Sequence, residues 1–208
     1  MLALFPEILE TGIDYVDVGC RGEVEPRWRD FAMLLNYIGF DADAGEISRL
    51  DHMPSGYRSR RLFPAAIGGT TETAVLHETV SPYCWSLLPP REPWLRRLNC
   101  AAAFVKTGER KVPVITLDDV ARQESIHPDI LKLDSQGMEL PILRAAGSLL
   151  SHVFCVELET GFVESYVGEF VAIRRLTFTA LRRLANAAEA ANARPHLLRR
   201  WMPGRRTP

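Results

Sequence analysis

The stretch DILKLDSQGMELPIL, residues 129–143, sets a short apolar run of strand character against a single acid, Asp134, then a glycine and residues at helical spacing. The same pattern recurs along the chain. YVDVG (15–19), YIGFDAD (37–43), LFPAAIGG (62–69), the start of VPVITLDDV (112–120) and VFCVELE (153–159) read as strands, and TAVLHETV (73–80) alternates like a surface strand. Between them, Trp28, Phe31, Leu34 and Leu35 fall at helical spacing, and a helix is expected from about Leu140 to Leu150. Strands that alternate with helices predict an α/β fold with a mostly parallel sheet covered on both faces. In such open sheets ligands collect outside the carboxyl ends of the strands, near the point where strand order reverses. The residues at those ends are Asp17 and Gly19, Asp41, Ile67 and Gly68, Asp134, and Glu157 with Glu159.

A chain of 208 residues suffices for one domain with a full core. No apolar run approaches the roughly 20 residues a membrane-spanning helix needs, and the opening MLALFPEILETGID has no basic stretch before its apolar residues, so a cytoplasmic protein without a secretory signal is expected. The four cysteines, at 20, 84, 100 and 155, form no CxxC pair and are expected as reduced, mostly packed thiols. Charge is unevenly distributed. Residues 171–208 carry nine arginines against the single acid Glu189, a net +8 in a chain of net −1, so the first 170 residues sum to −9. A basic end can mark a nucleic-acid or membrane tail, but this one has a single aromatic after Phe178, Trp201, and no nucleic-acid partner is expected.

Strand alternation puts Ile130, Lys132 and Asp134 on one face of their strand and Leu131 and Leu133 on the other. A lysine in a central strand is costly unless paired, so Lys132 is expected to have a carboxylate partner such as Asp134. Gly137 allows a sharp exit from the strand, and Glu139 falls in the first turn of the following helix, where orphan backbone donors favour an acid. Thr116 and Asp119 fit a variant of the capping box.

The segment DVGCRG gives Asp17, Gly19 and Gly22 at a strand-to-helix turn, where the absence of a side chain lets a ligand approach the backbone. Asp41 closes the next strand, where an acid can bond both hydroxyls of a ribose. Together they point to an adenosine-containing ligand. A dinucleotide site wants GxGxxG and an unobstructed helix N-terminus for its pyrophosphate. Here the spacing is DxGxxG, with Glu23 just after the second glycine, and carboxylates so placed suit a ligand bearing an ammonium and a sulfonium, S-adenosylmethionine.

Read in order, VDVGCRGEVEPRW, IGFDAD, LFPAAIG, SPYCWSLLPP, VPVITLDDV, DILKLDSQGMELPILRAA and VELETGFVESYVGE resemble the FkbM family of S-adenosylmethionine-dependent methyltransferases. The resemblance covers roughly residues 13–172 and implies a Rossmann-like methyltransferase domain over 1–172. It further implies that Asp17, Gly19 and Gly22 line the methionine end of the cofactor, that Asp41 holds the ribose, that Ala66, Ile67 and Gly68 lie near the adenine, and that Asp134 stands beside the transferred methyl. A small-molecule or glycan acceptor, a hydroxyl on a sugar, glycolipid or secondary metabolite, comes from the resemblance alone.

Two roles are open to Asp134: to position or deprotonate an acceptor hydroxyl, with Lys132 or Glu157 setting its charge state, or to cap the following helix. Glu157 and Glu159 lie on one face of the last strand and with Asp134 could compose a magnesium site, but the spacing does not require one and no metal is expected. Tyr83 and Trp85 in SPYCWSLL offer stacking faces for an acceptor under a lid, or merely anchor a loop. His77 reads as a surface residue. After SYVGEFVAI the resemblance fails, so residues 173–208 are expected as an Arg/Ala-rich tail on a truncated or degenerate domain, helical over 174–191 or disordered. Two further functions stay open: a non-catalytic S-adenosylmethionine-binding remnant, to which Cys20 and Arg21 in the glycine turn also point, and a nicotinamide-dependent oxidoreductase. The oligomeric state is not legible.

Overall fold

β-Branched and aromatic residues concentrate in short segments, and these become the strands. The computed structural model describes residues 10–22, 26–159, 161 and 163–169. In chain order it runs β1 (Ile13–Val18), α1 (Pro26–Arg29), β2 (Leu35–Phe40), α2 (Ala44–Asp51), β3 (Ser59–Phe63), β4 (Ala66–Ile67), β5 (Glu72–Thr79), α3 (Glu92–Leu95), β6 (Lys106–Ile115), α4 (Leu117–Glu124), β7 (Ile130–Leu133), α5 (Glu139–Ala145) and β8 (Cys155–Leu158), with short 3₁₀ turns between.

Five strands form one sheet in the order β3-β2-β1-β7-β8, each neighbouring pair parallel. The chain winds outward from β1 to β3 and then returns to β7 and β8 on the other flank, so strand order reverses between β1 and β7. This is a Rossmann-like, doubly wound α/β arrangement, and its switch point is where a ligand crevice is expected. On one face Val16, Val18, Phe40, Leu131 and Leu133 pack against Leu117, Val120 and Ile142 from α4 and α5. On the other, Tyr15, Leu35, Tyr37 and Ile130 pack with Ile47 and Leu50 of α2. Tyr37 stacks on Tyr15 and on Tyr57, with ring centroids 5.9 and 4.3 Å apart, contacts that add about 0.5–1.5 kcal/mol each beyond area burial. Among the described residues no helix is long and apolar enough to cross a membrane.

Several expected boundaries move, each for a local reason. The helical spacing from Trp28 to Leu35 yields only α1 and a 3₁₀ turn at Ala32–Leu34, because Leu35 is drawn into parallel pairing opposite Ile13. β2 stops at Phe40 instead of reaching 43, since Asp43 becomes the N-cap of α2 and accepts from the Gly45 amide at 3.0 Å. The segment 62–69 is two strands. Pro64 cannot donate to a ladder, and beyond it β4 joins a second sheet of order β4-β6-β5, in which β5 runs antiparallel to β6. β6 itself starts at Lys106, six residues ahead of Val112. The helix expected to Leu150 ends at Ala145, just before Gly147, and a 3₁₀ turn at Leu149–Ser151 follows, capped by Asp118, which accepts from Ser148 Oγ at 2.7 Å and the Leu149 amide at 3.1 Å. The Thr116 cap of α4 forms as expected, its side chain accepting from the Asp119 amide at 3.1 Å. The readings made for residues 173–208 lie outside the described residues.

Candidate active site

Gly19 leaves β1 at φ +80°, and a Cβ there would lie 1.9 Å from the Asp134 carbonyl oxygen. Only glycine combines that conformation with that approach. The Asp134 amide donates to the Val18 carbonyl at 2.9 Å, and the amides of Gly19 and Cys20 both donate to the Phe40 carbonyl, at 2.9 and 3.0 Å. The ends of β7, β1 and β2 are thereby stitched together. They open a crevice that leaves about 700 Å³ of empty space, part of it open to solvent. Gly19, Asp41, Ala66, Ile67 and Asp134 line it, under a roof of Tyr83, Trp85 and Ser86. Gly68 lines an adjoining groove that shares Leu87 and Met138 with the crevice.

Four of the residues singled out in the sequence lie elsewhere. Asp17 points to the opposite face, 4% exposed, where its carboxylate accepts from the Tyr37 hydroxyl at 2.8 Å and from Lys132 Nζ at 3.0 Å. Lys132 sits beside it in register and is itself buried. Its first partner is Asp17, with Asp134 second at 3.8 Å. Gly22 borders a different recess, and its amide donates to Glu46 at 3.0 Å. Glu157 pairs in register with Lys132 and accepts from the Trp28 indole at 3.2 Å. Burial pushes the Asp17 carboxyl up, while Lys132 and the Tyr37 hydroxyl oppose the shift.

Asp134 and Asp41 are the two carboxyls that line the crevice. The Asp134 side chain keeps 23% of its exposure, enough to be reached from solvent. Burial and a hydrogen bond shared with Glu159 raise its carboxyl to about 7, against the pull of Lys132 and of the Gln136 amide. It does not cap α5. No side chain does, and Glu139, in the first turn of α5, instead ties down the turn before it, its carboxylate accepting from the amide and hydroxyl of Ser135, both at 2.9 Å, and from the Gly137 amide. Asp41 is held differently: its carboxylate accepts from the Asp43 amide at 2.7 Å and stands 3.5 Å from Arg21, and burial raises it. Arg21 also pairs with Asp43 at 2.7 Å and lies over the Trp85 ring, 5.1 Å from its centroid. Arg110 lies at the same distance from that ring. Ser86 Oγ donates to the Gln136 carbonyl at 2.7 Å, which fastens the 81–87 strap across the mouth.

Sequence reasoning assigned no role to three of these residues. Tyr37 partners Asp17 only because β1 and β2 pair in a register that sequence alone does not give. Tyr166, distant in sequence, reaches Gln136 by its hydroxyl. Gln136 adopts φ +55°, and a non-glycine residue there, before a glycine, is a local signal that the turn serves something. His77, read as a surface residue, is half-buried on β5 with Nδ1 3.0 Å from Glu109. Among the described residues no group of three or more His, Cys, Asp or Glu is arranged to hold a metal.

No curated protein and no solved structure matches the chain. A family profile, that of the Methyltransferase FkbM domain, matches residues 31–185. It takes in the strand carrying Asp41, the strap, and the Asp134 turn with the strand beyond it, about three quarters of the chain. A Rossmann-like sheet with an acid-lined crevice at its switch point, and a family match that spans most of that sheet, identify the chain as a member of the FkbM methyltransferase family.

Proposed function

We propose that the crevice binds S-adenosylmethionine and that the protein transfers its methyl group to a hydroxyl of a small-molecule or glycan acceptor. The observation that carries the reading is the juxtaposition, in one crevice, of a glycine that a Cβ could not replace, a strand-end acid at Asp41 and a carboxyl titrating near neutrality at Asp134. The residues present suit that cofactor. Gly19 leaves room beside the backbone, Asp41 offers a carboxylate to the ribose hydroxyls, and Ala66 and Ile67 give a buried apolar wall for the adenine. When bound, the sulfonium supplies a methyl group, its C–S bond breaking as the C–O bond forms. Asp134 accepts the proton that the acceptor hydroxyl gives up, and its midpoint near 7 leaves about half of it as carboxylate at neutral pH. Lys132, 3.8 Å away, offsets the charge of that carboxylate from below. The strap bearing Tyr83 and Trp85 restricts water and offers a stacking face to a sugar or flat ring. Asp17, Gly22 and Glu157 support this site at one remove, Asp17 by fixing Lys132.

Calorimetric titration with S-adenosylhomocysteine tests the reading. Micromolar binding is expected, weakened about tenfold to a hundredfold in Asp41→Ala as charge-assisted bonds to the ribose are lost. A folded wild-type chain that gave no heat would rule the cofactor out.

A further inference from the structure

Gln136 holds its backbone at φ +55° in the turn between β7 and α5. A left-handed non-glycine residue is uncommon and strained, so it persists where surrounding contacts impose it. Three contacts do so. The Gln136 carbonyl accepts from Ser86 Oγ at 2.7 Å, Nε2 donates to Asp134 Oδ1 at 2.7 Å, and Oε1 accepts from the Tyr166 hydroxyl at 2.9 Å. Tyr166 is 1% exposed, and burial keeps its phenol protonated well beyond its ordinary range, so it is a permanent donor. Its hydroxyl also lies 3.0 Å from the Cys84 carbonyl, on the strap.

The chemistry of these groups dictates an order. A carboxylate only accepts, so the side of the amide that meets ionised Asp134 must be NH₂. The oxygen then faces Tyr166, whose single proton it shares with the Cys84 carbonyl. Turning the amide over would set its oxygen against the carboxylate and give up the bond that Oε1 receives from Tyr166.

We propose that Gln136 and Tyr166 are positioning residues for Asp134: Tyr166 fixes the orientation of the Gln136 amide, and the amide fixes the rotamer of the Asp134 carboxyl and favours its ionised form. The inference rests on the reading of Asp134 as the group that takes the acceptor's proton. The charged and titratable groups facing the pair are Lys132 on β7, Asp17 on β1 and Glu159 beyond β8 on the Asp134 side, and Cys84, Glu139 and Glu169 around Tyr166.

The test follows the ¹³C shift of the Asp134 carboxyl against pH in the wild-type chain, in Gln136→Met and in Tyr166→Phe, with Asp134→Asn to assign the resonance. Gln136→Met, close in size but without the amide, raises the Asp134 midpoint by about one unit, a tenfold change in ionisation. Tyr166→Phe, which removes one oxygen from a buried ring, raises it by less and in the same direction. Affinity for S-adenosylhomocysteine stays at the wild-type value in Tyr166→Phe, while the pH limb of methyl transfer moves with the carbon shift in both variants. If Tyr166→Phe, folded by near-ultraviolet circular dichroism, titrated as wild type, Tyr166 would be a packing residue and the proposal would fail. A Gln136→Met midpoint that stayed put or fell would equally overturn it. Absence of S-adenosylhomocysteine binding by the wild type would sink the cofactor reading instead, leaving the carboxyl titration to decide on the pair.

Discussion

At Asp134 burial and Glu159 push one way while Lys132 and the Gln136 amide push the other, and the carboxyl settles at about 7 against an ordinary 3.8. A carboxyl raised on folding favours the protonated chain. Its contribution to stability is therefore full below the ordinary value and is lost as pH climbs from about 4 through about 7. Urea unfolding of Asp134→Asn should show a flatter fall of stability than wild type across that window. With Asp134 in its proposed role, methyl transfer should have the opposite dependence, because it would need the carboxylate: kcat/KM should rise through a limb near pH 7. Glu159→Gln removes a group that raises Asp134, so its limb should lie at lower pH, and a limb left unmoved would refute this account of the shift. The site of Asp134 was legible because an acid closing an apolar strand before a glycine has few structural excuses. The partner of Lys132 was not. Asp17 stands nearer than Asp134 because β1 and β7 pair with Asp17 opposite Lys132, and register is set by the whole sheet.

Among the elements, the junction of β1 with β7 tolerates least. Gly19→Ala must relieve a Cβ 1.9 Å from a backbone oxygen and a φ of +80° at once, and should cost about 3 kcal/mol or more. Gly147→Ala is the matched control, since nothing lies within 4 Å of its Cβ and its φ is ordinary. It should be neutral or slightly stabilising, so the urea midpoints of the two variants should differ widely. β1, β2 and β7 were legible as apolar runs because both faces of the sheet are buried there, whereas the edge strand β3, SRRLF, was legible only at its last two residues. β6 was only half legible. Its first residues, Lys106 to Lys111, are largely polar, and their strand conformation is imposed by pairing with β5.

Across the whole molecule, the alternation of strand and helix announced a parallel sheet, but not that Pro64 would divert the chain into a second sheet whose strand β5 leads directly to the strap. Because the crevice is built from three strand ends, a ligand within it braces the sheet as a unit. S-adenosylhomocysteine at about 100 times its Kd should stabilise the fold by about 2.7 kcal/mol, an upward shift in Tm of which Asp41→Ala at the same ligand concentration should lose about half or more.

The bond between Lys132 and Asp17 joins positions 115 apart in the chain. Closing a loop of that length costs roughly 4 kcal/mol of chain entropy before any contact repays it. The pairing of β1 with β7 should therefore be a late event on the folding route, and a nascent chain has no crevice until β7 has left the ribosome and found β1. Cofactor binding can stabilise the finished protein, but it cannot guide the steps that come before.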